Sequence, residues 1–96
     1  RSGWVVPPVF DLVRRLGSVP WDDLEGTLNL GVGMVAVVAP ESVDAVLRVT
    51  EGASIPAWVL GGVHEAQNYG PRGRLVTGTK GVDGGAVDLL GEYRAS

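Results

Sequence analysis

The sequence predicts an α/β (α+β) fold, a mixed β-sheet with helices packed on one face. Three observations carry this. Val32 to Val38 is apolar without interruption, as in a strand covered on both faces. A segment of helical spacing follows over residues 40–51, and a second apolar run follows that from Ala57 to Val63. This β-α-β order predicts two parallel strands joined by a right-handed crossover. The last third, residues 65–96, reads as an extended glycine-rich tail with a hairpin.

Taken in order, residues 7–16 read as a helix. Pro7 and Pro8 suit its first turn, where a missing N–H is not needed. Phe10, Val13 and Leu16 recur on one face, which leaves Asp11, Arg14 and Arg15 to face outward. Gly17 is the expected stop. Trp4 is expected to pack beside this helix as an anchor, in preference to a ligand-stacking role.

Residues 20–28 read as a second, short helix with Pro20 near its start. Asp22, Asp23 and Glu25 lie early, where the helix dipole favours negative charge. A carboxylate cluster also suits Mg²⁺, but a solvated helix start is the preferred reading. Gly26 is expected to end the helix early.

In the 40–51 helix, Val43, Val46, Leu47 and Thr50 form one face, and Asp44 and Arg48 form an i,i+4 pair of the favourable order. Ser42 is placed to cap it and Gly52 to end it. His64 is the only histidine. It sits at a predicted strand end with only Glu65 nearby, so a surface role is preferred to acid–base or metal chemistry. Arg74–Thr77 and Ala86–Leu90 read as two short strands, with hairpin chemistry over Lys80–Gly85 between them. Residues 69–73 are expected to form a mobile loop. Gly78-Thr79-Lys80 lacks the Gly-Lys-Ser/Thr order of a phosphate loop.

The bulk properties exclude several classes. Ninety-six residues make one small domain of marginal stability. A net charge of −3 offers no basic field for nucleic acid or anionic lipid. Without cysteine there is neither a disulfide framework nor thiolate chemistry, which fits a cytoplasmic setting. No apolar run approaches the roughly 20 residues that span a bilayer, so no membrane partner is expected. The sequence opens at Arg1 without Met, which leads us to expect a piece of a longer chain.

The most informative stretch is Asn29-x-Gly31-x-Gly33-Met34, at the entrance to the first apolar run. Glycine leaves the backbone bare, permitting positive φ and close approach of a ligand. The Gly31-to-Ala36 spacing formally matches a dinucleotide fingerprint. That fingerprint needs a strand before the glycines and a helix after them, and here the order is reversed.

Leu28-Asn29-x-Gly31-x-Gly33-Met34, Pro40-Glu41, Ala57-Trp58-Val59-Leu60-Gly61 and the upstream Trp4-x-x-Pro7-Pro8-Val9-Phe10-x-Leu12 occur together in one order. In this they resemble the C-terminal part of phosphoribosylformylglycinamidine cyclo-ligase, also called aminoimidazole ribonucleotide synthetase, over about residues 4–64. The sequence departs at Leu28, where the family usually has Phe, at Gly26, where it often has Arg, and in its longer, glycine-rich tail.

The resemblance implies a C-terminal domain of the aminoimidazole ribonucleotide synthetase type, lacking the N-terminal ATP-binding domain. It implies an ATP-dependent ligase of purine synthesis that converts formylglycinamidine ribonucleotide to aminoimidazole ribonucleotide. In that reaction the amide oxygen is phosphorylated, an internal nitrogen attacks, and phosphate leaves. ATP and Mg²⁺ would be bound mainly by the N-terminal domain. The expected partners are a small-molecule substrate, the remainder of the same polypeptide, and a second copy in a homodimer of the full-length enzyme. Asn29, Gly31, Gly33 and Met34 are the expected substrate-binding residues. No catalytic or metal-binding residue is assigned, and the 96 residues alone are expected to be inactive. The alternatives are a related two-domain ATP-using enzyme, of the selenophosphate synthetase or thiamine-monophosphate kinase type, or a non-catalytic α/β interaction module.

Overall fold

The computed structural model describes residues 1–78 and 85–95. It is a mixed domain of helices with one small parallel and one small antiparallel sheet, in line with the predicted class. Strand β1 (Val5–Val6) leads into α1 (Pro8–Gly17) and the single-turn α2 (Trp21–Leu24). A 3₁₀ turn at Pro40–Ser42 opens α3 (Val43–Gly52). After a second 3₁₀ turn at Ala66–Asn68 come β2 (Arg74–Thr77), β3 (Ala86–Leu89) and β4 (Arg94–Ala95).

The predicted hairpin forms. β2 and β3 pair antiparallel with Val76 opposite Val87, and the Gly78 N–H donates to the Gly85 carbonyl at 2.7 Å. Most of the connection singled out in the sequence, from Lys80 to Gly84, lies outside the described residues, as do Thr79 and Lys80 of the rejected phosphate-loop reading.

The β-α-β unit does not form. Residues 32–39 and 53–65 carry no strand, and the helix between them has no sheet to cross. Instead β1 pairs parallel with β4, Val5 opposite Arg94 and Val6 opposite Ala95. A strand covered on both faces needs neighbours that supply ladder hydrogen bonds. Among the described residues no strand pairs with Val32–Val38, and the run is exposed from Gly33 on, with Val37 77% accessible.

The core sits elsewhere. Val6, Leu24 and Leu30 are its fully buried members, and Trp4, Phe10, Val19, Trp21, Leu28 and Tyr93 pack around them. Val6 is the most buried side chain, while Val5 beside it is half-exposed. Alternation along a two-residue strand sends neighbouring side chains to opposite faces.

The polarity of α1 also differs from its periodicity. Asp11 is buried and Leu16 is 79% exposed. Asp11 tolerates burial because Arg14 and Arg15 both reach back to it, at 2.7 and 3.1 Å, and a buried carboxylate needs such partners. The helix runs through Gly17, and Ser18 in the left-handed region (φ 52°) caps it.

In α3 the predicted face is the half-buried one: Val43, Val46, Leu47 and Thr50 are its partly covered residues. Ser42 stands at the N-cap position, but its side chain makes no capping hydrogen bond. α2 ends at Leu24, short of Gly26.

The tail is tied down rather than loose. The Arg1 ammonium donates to the Leu90 carbonyl, and Arg1 Nε donates to Gly91 O at 2.9 Å. Residues 69–73, expected to be mobile, are held by one side chain. Asp88 accepts from the Tyr69 hydroxyl at 2.5 Å, from Arg72 N–H at 3.0 Å and from Gly73 N–H at 2.9 Å. Three donors on one carboxylate, the Arg72 N–H foremost, hold Asp88 below the usual carboxylate range. The same contact raises Tyr69 above the ordinary tyrosine value. His64 is exposed, and its ring stacks on Tyr69 at 5.1 Å.

Candidate functional site

The four residues singled out as substrate-binding lie on one turn, directly after the buried core. Leu28 and Leu30 anchor its start, Leu30 being 2% exposed. Leu30 adopts φ 54° and Gly31 φ 98°, two consecutive left-handed residues that reverse the chain. A non-glycine residue in this region is strained and needs outside support. The support is visible. Asn29 Oδ1 accepts from Gly31 N–H at 2.9 Å, the Asn29 carbonyl accepts from Val32 N–H at 3.0 Å, and Trp4 Nε1–H donates to the Leu30 carbonyl at 2.9 Å. The sequence marked Asn29 and the glycines. It gave no sign that Leu30 would take positive φ, since leucine rarely does.

The two glycines differ in what they are for. At Gly31 a Cβ would meet the Pro7 ring at 2.7 Å, on a backbone that already disfavours side chains. Gly31 is therefore required by the turn and by the close approach of Pro7. Gly33 has nothing within 4 Å of where its Cβ would lie, and its φ is not positive. Neither the turn nor packing demands a glycine there. Met34, next to it, is 90% exposed.

The turn offers hydrogen-bond donors rather than charge. Among the described residues, the Gly33 and Met34 backbone N–H groups and the Asn29 side-chain amide nitrogen make no hydrogen bond. Such groups pair with an acceptor-rich ligand. No acid, base or nucleophile stands on the turn.

Asp22 of α2 and Glu25 just after it are committed elsewhere. Glu25 accepts from the Tyr93 hydroxyl at 2.5 Å and pairs with Arg74 and Arg1, while Asp22 pairs with Arg1 at 3.3 Å and Arg74 at 3.6 Å. Burial, and then the hydrogen bond to Glu25, push the Tyr93 hydroxyl far above the ordinary tyrosine value. Among the described residues no group of three or more His, Asp or Glu is arranged to hold a metal ion. Nor, among them, is any helix long and apolar enough to cross a membrane.

Comparison with known proteins finds relatives that carry the names of a cyclo-ligase and of a purine biosynthetic protein. A Streptomyces fradiae protein that carries the cyclo-ligase name provisionally is 41% identical over 93 residues, covering 97% of this chain and 45% of that protein. The phosphoribosylformylglycinamidine cyclo-ligase of Symbiobacterium thermophilum is 46% identical over 72 residues, 75% of this chain and 20% of its own length. A bifunctional purine biosynthetic protein of Pichia angusta is 38% identical over 65 residues, 68% of this chain and 8% of its own. By these matches the chain belongs to the phosphoribosylformylglycinamidine cyclo-ligase family, as a partial region of the C-terminal type. It spans under half the length of the first relative and a fifth or less of the other two. No family model matches the chain. No solved structure matches it.

Proposed function

We propose that this segment supplies the substrate-side turn of an ATP-dependent cyclo-ligase acting on formylglycinamidine ribonucleotide. The observation that carries the reading is the Asn29–Met34 turn. It occurs in a chain 46% identical over 72 residues to a named cyclo-ligase, and its Gly33 is bare without a local reason. In this reading the Asn29 amide and the Gly33 and Met34 N–H groups donate to oxygen atoms of the ribonucleotide. The open Gly33 backbone lets the ligand approach to hydrogen-bond distance. Gly31 has the separate task of holding the turn. The segment's contribution is positioning, which lowers the barrier by fixing the reacting groups before the chemistry.

ATP and Mg²⁺ are assigned to other parts of the longer enzyme, as the resemblance implies, and Asp11, Asp22 and Glu25 here are engaged by arginines. The resemblance further suggests a cytoplasmic homodimer for that enzyme.

The test is a chimera in which this chain replaces the matched region of the Symbiobacterium thermophilum relative. The chimera is expected to form aminoimidazole ribonucleotide, and Gly33→Ala is expected to raise KM for the ribonucleotide with Tm unchanged. An active chimera whose kinetics ignore both Gly33→Ala and Asn29→Ala overturns the assignment. The 96 residues alone, given substrate, ATP and Mg²⁺, are expected to yield no product.

A further inference from the structure

The candidate turn is held by a contact that originates at the opposite end of the chain. Pairing of β1 with β4 brings Tyr93 beside Trp4. The Tyr93 ring meets Trp4 edge-on, with centroids 5.9 Å apart at 77°, and lies 5.0 Å from Trp21. Its hydroxyl is fixed by Glu25 at 2.5 Å, and the Arg1 guanidinium lies over its ring at 5.6 Å. Tyr93 is thus located from three sides. Trp4, against which it packs, donates Nε1–H to the Leu30 carbonyl at 2.9 Å. Leu30 is the strained, left-handed residue on which the turn depends.

We propose that Tyr93 is a positioning residue for the Asn29–Met34 turn, acting through Trp4. The inference rests on the reading of that turn as substrate-binding. Its physical content is that a left-handed leucine persists only where its surroundings hold it. Among the described residues the indole N–H is the one side-chain group hydrogen-bonded to that residue, and the indole is held by two rings, Trp58 stacked on it at 6.0 Å and Tyr93 edge-on at 5.9 Å. An edge-to-face pair fixes orientation more strictly than aliphatic packing does. The C-terminal strand, which the sequence suggests is a mere extension, would then be part of the site's support.

Amide hydrogen exchange on the 96-residue chain tests this without any ligand, so its outcome is independent of whether the turn binds the ribonucleotide. In Tyr93→Leu the Gly31 and Val32 amides are expected to exchange about tenfold faster, as for a locally opened segment, while α1 amides keep their rates. Tyr93→Phe, which keeps the ring and loses only the hydroxyl, is expected to restore slow exchange at the turn. Trp4→Phe removes the indole donor together with part of the ring packed on Trp58 and Tyr93, and is expected to release the same two amides with β1 and β4 still paired. A merely structural role predicts that α1 and the turn accelerate together. That result, or unchanged turn amides in Tyr93→Leu, overturns the proposal. Should Tyr93→Leu fail to fold, Tyr93→Met, which likewise lacks the ring, decides by the same readout.

Discussion

Residues 4–30 and residues 32–63 are both rich in apolar side chains, and the structure treats them in opposite ways. In the first region Val6, Leu24 and Leu30 are buried beneath three aromatic rings and Tyr93. In the second, Val35, Val37, Val59 and Val63 stand exposed outside any helix or strand. The difference is not one of composition. The first region has partners: Trp4 stacks on Trp58 at 6.0 Å, Arg14 lies over Trp21 at 4.8 Å, and β4 returns to pair with β1. The second has no facing strand among the described residues. Apolar sequence supplies the driving force for burial, but a surface to bury against decides whether it is used.

The comparison breaks most visibly at the core. Leu24→Ala is expected to cost about 2–4 kcal/mol by lost transfer and cavity formation, whereas Val37→Ala is expected to stay within about 0.5 kcal/mol, as surface changes do. Urea denaturation of the two variants measures both. Equal losses would mean that the 32–38 run is buried in solution.

A smaller effect separates the two glycines. Gly31→Ala meets both the Pro7 ring and a left-handed backbone, and is expected to lower stability by about 1–3 kcal/mol. Gly33→Ala meets neither and is expected to leave Tm unchanged. Parallel thermal scans read the difference, and matching losses would erase the distinction between a glycine of the turn and a glycine of the site.

The exposed region makes its own prediction. An uncharged, β-branched run with unpaired backbone recruits other strands. Sedimentation at rising concentration is therefore expected to show association, weakened by Val37→Lys. A clean monomer of about 10 kDa throughout would contradict it.

The gentlest perturbation is pH. Asp88 titrates below its ordinary value in the fold, so its contribution is present above the unfolded carboxylate pKa and is lost as pH falls through the folded value. Acid below about pH 4, the ordinary aspartate range, should release residues 69–73 while leaving the aromatic core in place, and Asp88→Asn should release them at neutral pH. Tyr93 has the opposite sign. Its raised value makes its contribution complete below about pH 10, the ordinary tyrosine pKa, and lost as pH climbs beyond it. Ultraviolet titration should accordingly show no tyrosinate step at the ordinary value, since both tyrosines are raised.

The amino-acid sequence by itself determined the local features. Pro8 opening α1, the spacing that gives α3 one apolar face, the β2–β3 hairpin and the Asn29 bond to the Gly31 N–H all follow from interactions within a few residues. The family was legible as well, because motif order is a property of sequence alone. What only the tertiary structure decided is everything that depends on a distant partner. Val32–Val38 is not a strand, because among the described residues no neighbour pairs with it. Asp88 holds a loop that composition suggested was free, and Gly31 and Gly33 part company because Pro7 lies against only one of them. Periodicity reports which side chains could share a face. Which face finds a surface to bury against is a long-range fact, set here by the return of Tyr93 and β4 onto the start of the chain.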